Sequence, residues 1–435
     1  LATASGEMGY RMTGAFSRIR RQFGTAVGHF EGVQEASAEV AGLAYTLEAY
    51  RHLVTRGLEE GTISVVTAMA KYHSTEMMRV LINNGMDIAS GRAVQMGPRN
   101  FMALAYQSIP VAITVEGANI LTRSLMIFGQ GAMRCHPYLY DELQAIQDED
   151  QERGLNTFEG LFFKHAGHTL GNMSRGLVHG LSGAALAEIP ANADSFSAPW
   201  YRLITRYSAV LASYADVAFA LLGGDLKRRE MVSARLGDVH SQLLIACAVL
   251  KFHATLPRDE ANDAHARYAL QHAFSQIHDA VEDFARNFGY MGVARILKGL
   301  FFPFGRPAGA QKPSDELIRT LGEQIMNPSS VRDALAANAY ISVDPKDSIG
   351  RVEVTYNKLL EVERDYEAFL KADGKGKLEG ETIQAKLEDA AAKGIIPNDQ
   401  VQAILDYDEM RYDCLLTDAF DKELKEVDMN TQRPT

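Results

Sequence analysis

Hydrophobic residues recur along this chain at alternating steps of three and four, in segments long enough for several turns of helix. Residues three and four apart share one face of a helix, whereas those of a half-buried strand alternate at every second position. The spacing is clearest in segments 30–47, 66–81, 203–222 and 243–256. The β-branched run 111–115 is too short and isolated to imply a sheet. The sequence therefore predicts an all-α protein.

Glycine and proline indicate where these helices end. We expect Asn84 and Gly85 to cap the helix that contains 66–81, because asparagine and glycine adopt the left-handed conformation of a C-cap. Gly223 is expected to stop the helix over 203–222, and Pro257 the one over 243–256.

Turn-rich and charged stretches divide the chain into three predicted blocks. Residues 1–137 form a helical bundle, residues 138–345 a second helical domain, and residues 346–435 an acidic, mostly helical tail. Helices are expected at 353–371 and 381–393 of this tail. We interpret the tail as a solubilising surface or as the binding site of a basic partner.

The charge of the chain restricts its partners. The formal net charge is −11, which argues against a protein whose main partner is nucleic acid, since phosphate binding needs a basic surface. Residues 344–435 contain 22 acidic and 13 basic residues, so most of the acidic surplus lies in the tail. An anion-binding site is therefore expected nearer the start of the chain.

Cysteine and histidine spacing predicts no metal site. The three cysteines are far apart, and their odd number favours a reducing compartment, so we expect a cytoplasmic protein. His165 and His168 are three residues apart, but no carboxylate or cysteine lies at ligand spacing beside them.

No segment is recognised as a membrane span. The longest uncharged stretch lies between Arg99 and Glu116 and is shorter than the roughly 18 apolar residues that a span requires. The run 300–304 is interpreted either as an apolar contact for a membrane or acyl chain, or as a buried connection. Membrane contact is expected to be peripheral at most, at the inner membrane. Because the chain begins without Met or a signal peptide, we interpret it as a piece of a longer protein.

The most distinctive candidate residue is Glu116, the first charge after that uncharged stretch, followed by Gly117. A carboxylate among apolar neighbours loses solvation of its charged form, which raises its pKa towards neutrality and suits it to act as a general base. The alternative interpretation is a carboxylate that faces solvent or pairs with Arg123.

Two further segments are candidates for anion or cofactor binding. Arg18, Arg20 and Arg21 lie close together in the segment that ends at Gly24. Guanidinium groups can donate paired hydrogen bonds to phosphate oxygens. They point in different directions, so only one or two can face a ligand, and a solvated basic face is the alternative. The turn of small residues at 87–93 either lets a cofactor approach the backbone closely or simply connects two helices.

Together these segments resemble acyl-CoA dehydrogenases, specifically the long bacterial type that carries an extra helical domain. The segments that carry the resemblance are 20–24, 29–34, 68–76, 114–123, 129–131, 222–230, 233–238 and 327–333. The resemblance implies a four-helix-bundle-like C-terminal domain followed by a second helical domain. In this family an N-terminal helical domain and a β-domain come before the part present here.

The resemblance also implies a reaction and its site residues. The reaction is α,β-dehydrogenation of a medium- or long-chain fatty acyl-CoA in β-oxidation, in which a glutamate removes the α proton and FAD accepts a hydride. Glu116 takes the role of the base, and Arg20, Phe23, Gly91 and Gly117 are expected to contact FAD, with Arg20 reaching across a subunit boundary. Ser90 and Ala118 depart from the family pattern.

The remaining implications concern partners and activity. Electron-transferring flavoprotein is the expected electron acceptor, and the protein is expected to be a homo-oligomer. The isolated chain is expected to be inactive, because the family's other domains hold much of the flavin. The alternative function is a non-catalytic helical assembly or interaction module that retains the family motifs.

Overall fold

The computed structural model describes residues 1–61, 64–131, 135–423 and 425. Within these residues the chain is helical apart from connecting loops and one antiparallel hairpin, in which β1 (Arg21–Gln22) pairs with β2 (Thr25–Ala26). The prediction of an all-α protein is confirmed, and the run 111–115 forms no strand.

The helices of the first part of the chain carry the candidate residues. They are α1 (Ala2–Ile19), α2 (Glu31–Glu60), α3 (Ser64–Ala89), α4 (Gly91–Val94), α5 (Ala103–Thr114) and α6 (Asn119–Leu121), which continues as a π-helix over Thr122–Gln130. The later helices are Leu139–Ile146, Gln151–Leu181, Ala198–Leu222, Glu230–His253, Glu260–Asn287, Met291–Phe301, Asp315–Gln324, Ser330–Leu335, Ser348–Asp373, Ile383–Ala392 and Gln400–Leu415.

The helix end predicted at Gly223 is confirmed, but the one predicted at Gly85 is not. Gly223 has a φ of 50° directly after the helix Ala198–Leu222, as expected of a glycine stop. The prediction of a cap at Asn84 and Gly85 is wrong, because α3 continues through both residues to Ala89. A Cβ on Gly85 would lie 2.0 Å from the Cε atom of Met102, so this glycine permits close packing of a helix rather than ending it.

Internal packing divides the chain into two compact units. Unit 1 comprises Leu1–Ala44, Met77–Pro110 and Asp315–Thr435, and unit 2 comprises Tyr45–Glu76 and Val111–Ser314. Each unit therefore combines segments that are distant in sequence. The sequential blocks 1–137, 138–345 and 346–435 stay a prediction.

In unit 1 the acidic tail is part of the packed core. Helices form over Ser348–Asp373 and Ile383–Ala392, close to the predicted 353–371 and 381–393. Val352, Leu359 and Phe369 of the first of these helices are at most 2% exposed. The tail residues 424 and 426–435 lie outside the described residues. The described tail thus stabilises unit 1 by burying apolar surface, in addition to any effect on solubility.

The acidic tail also has basic partners within unit 1. The Nη2 atom of Arg18 lies 2.5 Å from Oε2 of Glu363, and Nη1 of Arg21 lies 2.6 Å from Oε1 of Glu367. Two of the three clustered arginines are therefore engaged by the tail.

In unit 2 the aromatic run 300–304 is mostly a buried connection. Phe301 is fully buried and Phe302 is 4% exposed, whereas Phe304 is exposed. The guanidinium of Arg206 lies 5.1 Å from the centre of the Phe302 ring, a favourable cation–π contact. Burial of the first two phenylalanines supports the interpretation as a core element.

One helix of the described residues is long and apolar enough to cross a membrane. It spans Ala198–Lys227, and 44% of its most apolar 18-residue stretch is buried inside the chain. The helix α5 and the helix Asn119–Gln130 are together long and apolar enough as well, but they are bent by 48° relative to each other. Core helices of water-soluble proteins pass this test as well. Asp216 in the first helix is buried and accepts hydrogen bonds from His136 and Thr169, as expected of a packed core helix.

Replacement of Gly14 by alanine is expected to destabilise unit 1 by about 2 kcal/mol, because overpacking a rigid contact typically costs 1–3 kcal/mol. Gly14 lies within α1, and a Cβ there would meet the carbonyl oxygen of Ile325 at 2.0 Å. Urea unfolding followed by circular dichroism measures the change.

Gly32→Ala is the matched control, since Gly32 also lies in a helix but has nothing within 4 Å of its Cβ position. Alanine is the better helix former, so this variant is expected to gain between zero and about 1 kcal/mol. Equal effects of the two variants would contradict the packing argument.

Candidate active site

Glu116 lies in the short loop between α5 and α6, in unit 2. Glu116 has a φ of 57° and Gly117 a φ of 89°, so two successive residues are left-handed and turn the chain sharply. Glycine adopts this conformation readily, whereas a glutamate pays roughly 1–2 kcal/mol. Such strain persists only where the surroundings hold the backbone, and it is concentrated at functional sites.

The loop is held by the ammonium group of Lys71 from α3. Its Nζ atom donates to the carbonyl oxygen of Ile113 at 3.1 Å, to that of Gly117 at 2.7 Å, and to Oδ1 of Asn119 at 2.5 Å. The carbonyl of Ile113 belongs to the last turn of α5, where helical carbonyls have no partner in the helix and a cation is favourable.

Asn119 completes the attachment of the loop to α3. Its side chain is 3% exposed, and its Nδ2 atom donates to Oγ1 of Thr75 at 2.9 Å and to Oε1 of Glu76 at 2.8 Å. Lys71 and Thr75 are four residues apart, so they lie on the same face of α3. One face of α3 therefore binds both ends of the loop.

The carboxylate of Glu116 is exposed in this chain, which differs from the apolar surroundings expected from the sequence. Its apolar neighbours are exposed as well: 59% for Val111, 48% for Val115 and 84% for Ile120. Exposed apolar groups of this kind mark surfaces that bind a partner or ligand. Water would be excluded from the carboxylate only when this apolar surface is covered.

Arg123 pairs with Asp238 rather than with Glu116. Its Nη2 atom lies 2.5 Å from Oδ2 of Asp238, and its Nε atom 2.9 Å from Oδ1, a bidentate geometry. Burial raises the pKa of Asp238. The interpretation of Arg123 as the partner of Glu116 is therefore wrong.

Of the residues expected to contact FAD, Arg20, Phe23 and Gly91 lie in unit 1, whereas Gly117 lies beside Glu116 in unit 2. The Nη1 atom of Arg20 donates to Oγ of Ser90 at 2.9 Å, which brings this arginine to the small-residue turn at 87–93. Ser90 itself is left-handed, with a φ of 52°. Gly91 is exposed and has nothing within 4 Å of its Cβ position, so a ligand can approach its backbone.

The three arginines point in different directions, as their spacing requires. Arg18 and Arg21 face glutamates of the tail, whereas Arg20 faces a neutral hydroxyl. Its guanidinium therefore retains donors for an anion.

Phe23 lies at the tip of the β1–β2 hairpin and is 94% exposed. Phe23 and Gly24 have φ values of 51° and 81°, the conformation of a tight hairpin turn. A bulky residue with positive φ is an outlier, and a fully exposed phenylalanine gains nothing from burial in this chain. Its exposure is typical of a side chain that contacts another molecule.

A histidine–carboxylate cluster in unit 2 was not foreseen from the sequence. Single nitrogen or oxygen atoms of His136, His165 and Asp216 lie within 4.8 Å of one another. The Nδ1 atom of His165 also lies 2.9 Å from Oε1 of Glu142. Sequence spacing gave no signal for these carboxylates, because Glu142 and Asp216 come from other helices.

The hydrogen bonds of His136 in this cluster favour a proton, rather than a metal ion, on its Nε2 atom. Its Nδ1 atom accepts hydrogen bonds from the backbone N–H groups of Tyr138 and Leu139, both at 3.2 Å. A neutral imidazole then carries its proton on Nε2, which lies 2.9 Å from Oδ1 of Asp216 and donates to it. Although burial acts in the opposite direction, hydrogen bonds from His136 and Thr169 lower the pKa of Asp216. The atom that would bind a metal is thus occupied by a proton.

Two family models match most of the chain. The model described as acyl-CoA dehydrogenase, C-terminal, bacterial type, matches residues 133–420, and the acyl-CoA dehydrogenase C-terminal domain matches residues 2–127. The resemblance inferred from the sequence is confirmed.

Solved structures similar to this chain are acyl-CoA dehydrogenases and oxidases. An acyl-CoA dehydrogenase from Bacillus anthracis, complexed with FAD, has a TM-score of 0.54 at 14% identity over 75% of this chain and 54% of that chain. Acyl-CoA oxidase 1 of Arabidopsis thaliana has a TM-score of 0.46 at 13% identity over 83% and 52%. Acyl-CoA oxidase-1 of Caenorhabditis elegans has a TM-score of 0.48 at 11% identity over 81% and 50%. At these identities the first similarity shows the fold alone, and the chain spans about half the length of these proteins.

Proposed function

The chain belongs to the acyl-CoA dehydrogenase family, and from this membership we propose that it is the C-terminal part of a flavin-dependent enzyme that dehydrogenates the α,β bond of medium- and long-chain fatty acyl-CoA. The observation that carries the proposal is the carboxylate of Glu116 on a strained loop that is held from both sides, next to exposed apolar side chains.

Glu116 is proposed to act as the base that removes the α proton. An α C–H group is a weak acid, so the carboxylate has to be fixed close to it and freed of water. The loop supplies the fixed position, and covering Val111, Val115 and Ile120 supplies the dry surroundings. The exposed carboxylate is then accessible to substrate in the assembled site.

The residues of unit 1 fit the phosphate and backbone contacts of FAD. Arg20 presents free donors for a diphosphate, and Gly91 leaves room for the cofactor against the backbone. Phe23 is exposed, as needed for a contact with cofactor in a second subunit. When bound, FAD supplies the two-electron oxidising chemistry that the side chains of this chain lack.

The proposal extends to the partners of the whole protein. We propose a homo-oligomer in the cytoplasm, peripheral to the inner membrane at most, with electron-transferring flavoprotein as the electron acceptor. Since the chain covers about half of the solved structures it resembles, these activities belong to the chain together with its N-terminal and β-domains.

Glu116→Gln is expected to abolish exchange of the α proton of a bound acyl-CoA with deuterated solvent, because an amide cannot accept that proton. The test uses the chain joined to the N-terminal and β-domains of the family, in the FAD-loaded form. Mass spectrometry of the recovered acyl-CoA measures the exchange.

Glu149→Gln is the control, an exposed glutamate of the same unit whose replacement changes the charge equally. Retention of α-proton exchange by Glu116→Gln would show that the base lies elsewhere. Absence of α-proton exchange in the unsubstituted protein, together with failure to bind FAD, would favour the non-catalytic assembly module.

A further inference from the structure

We propose that Lys71 is the positioning residue of Glu116, which holds the loop of residues 115–118 in the conformation in which the carboxylate can act as a base. The catalytic half of this inference rests on the proposed function. The half that concerns the loop does not, because it can be measured on the chain without cofactor or substrate.

The two backbone acceptors of Lys71 lie on either side of Glu116 in the sequence. One acceptor, the carbonyl of Ile113, precedes Glu116 by three residues, and the next, the carbonyl of Gly117, follows it directly. A single ammonium group therefore fixes the distance between the end of α5 and the turn that carries the carboxylate.

Lys71 acts through the backbone rather than on the substrate. An ammonium group has three N–H donors, and three acceptors surround this one, the third being Oδ1 of Asn119 at 2.5 Å. With these bonds formed, Lys71 has no donor left for the carboxylate of Glu116 or for a thioester.

The loop needs such a restraint because its conformation is strained. Glu116 has a φ of 57°, which an unrestrained glutamate would leave for the extended or right-handed region. One of the carbonyls that Lys71 binds, that of Ile113, lies in the last turn of α5, where carbonyls have no partner in the helix and a cation is favourable. Loss of the ammonium group therefore releases the strain and moves the carboxylate.

The charge of Lys71 also acts on its surroundings. Burial lowers the pKa of Lys71, whereas the carboxylates of Glu76 and Glu116 act in the opposite direction, so all three groups are electrostatically coupled. Arg123, the next charged group on the helix after the loop, is engaged by Asp238. Lys71 is therefore a cation whose charge is felt by both neighbouring carboxylates.

Lys71→Met is the variant that removes both the donors and the charge. In the chain itself, we expect at least tenfold faster hydrogen exchange of the backbone amides of Val115 and Thr122, which donate to the carbonyls of Val111 and Ala118 on either side of the turn, with unchanged exchange in the helix Glu230–His253. Lys71→Arg, which keeps donors and charge, is expected to restore much of the protection. Lys164→Met, an exposed lysine of the same unit, is the control.

In the FAD-loaded protein with its N-terminal and β-domains, Lys71→Met is expected to lower kcat about 100-fold, since a misplacement of about 1 Å has this effect. KM is expected to stay unchanged. Lys71→Arg is expected to recover most of the kcat.

The outcomes separate the two proposals. Unchanged exchange at Val115 and Thr122 in Lys71→Met would overturn the inference, whatever Glu116→Gln does. A loosened loop with normal kcat would overturn the positioning role. Activity retained by Glu116→Gln would instead refute the proposed function, and the exchange measurement would still decide whether Lys71 holds the loop. If Lys71→Met does not fold, Lys71→Gln is measured in the same way.

Discussion

Between pH 8 and pH 5 the chain is expected to lose roughly 6 kcal/mol of folding free energy through three buried histidines of unit 2. Burial lowers the pKa of His73 to about 3, that of His265 to about 4 and that of His278 to about 4. Their ordinary value of 6.5 is regained when the chain unfolds. Each contributes about 2 kcal/mol at pH 5, because 1.5 pH units below the unfolded pKa correspond to that free energy.

The sign follows from which state binds more protons. Below about pH 6.5 the unfolded chain protonates these imidazoles while the folded chain keeps them neutral. Stability is therefore complete above the unfolded pKa and falls with pH until the folded pKa is reached near 4. Urea unfolding at pH 8, 6.5 and 5 measures this loss.

His73→Phe tests the assignment to individual rings. Among the residues that the structure describes, Nε2 of His73 has no hydrogen-bond partner, so phenylalanine removes the titration without leaving an acceptor unpaired. The variant is expected to be about 2 kcal/mol more stable than the parent at pH 5 and to differ by less than about 1 kcal/mol at pH 8. His29→Asn, at a half-exposed ring, is the control. The same difference at both pH values would contradict the linkage.

Glu353→Gln is expected to lower the free energy of unfolding of unit 1 by about 3–5 kcal/mol, the usual cost of breaking a buried ion pair from one side. Glu353 is 2% exposed and accepts from Nε of Arg11 at 3.0 Å and from its Nη2 at 2.5 Å. The Nη2 atom of Arg332, in a side chain 3% exposed, lies 3.6 Å from Oε2. Loss of the carboxylate charge leaves both guanidinium groups uncompensated, and burial already lowers the pKa of Arg332.

Glu367→Gln provides the comparison for this ion pair. Glu367 pairs with Arg21 at 2.6 Å but is 50% exposed, so water replaces the lost interaction. The expected change is below about 1 kcal/mol, as for other exposed pairs. Thermal and urea unfolding of both variants at pH 7 measure the difference. Equal losses would show that burial does not determine the strength of the Glu353 interaction.

Sequence reasoning was sufficient where the physical cause is local. The spacing of apolar residues placed the helix Ala198–Leu222, and Gly223 ended it where predicted, because helix periodicity and backbone freedom depend on neighbouring residues. The same reasoning failed at Gly85, where the reason for a glycine is the side chain of Met102, 17 residues away.

The candidate site could be located but not described from the sequence. Glu116 and Gly117 were recognisable from their position after an uncharged run and from the family resemblance. Lys71 was not singled out, because a lysine 45 residues earlier gives no signal of its own until α3 is folded beside the loop. The exposure of Glu116 was also hidden, since it depends on which apolar surfaces are covered.

The sequence by itself determined that the chain is helical, that it belongs with acyl-CoA dehydrogenases, and which glutamate and arginine are candidates, since periodicity and motifs are properties of consecutive residues. The tertiary structure alone decided the partners: Glu353 for Arg11, Asp238 for Arg123, and Lys71 for the loop of Glu116. The physical reason is that hydrogen bonds and ion pairs require contact within about 4 Å, and such contact between residues far apart in sequence exists only after folding.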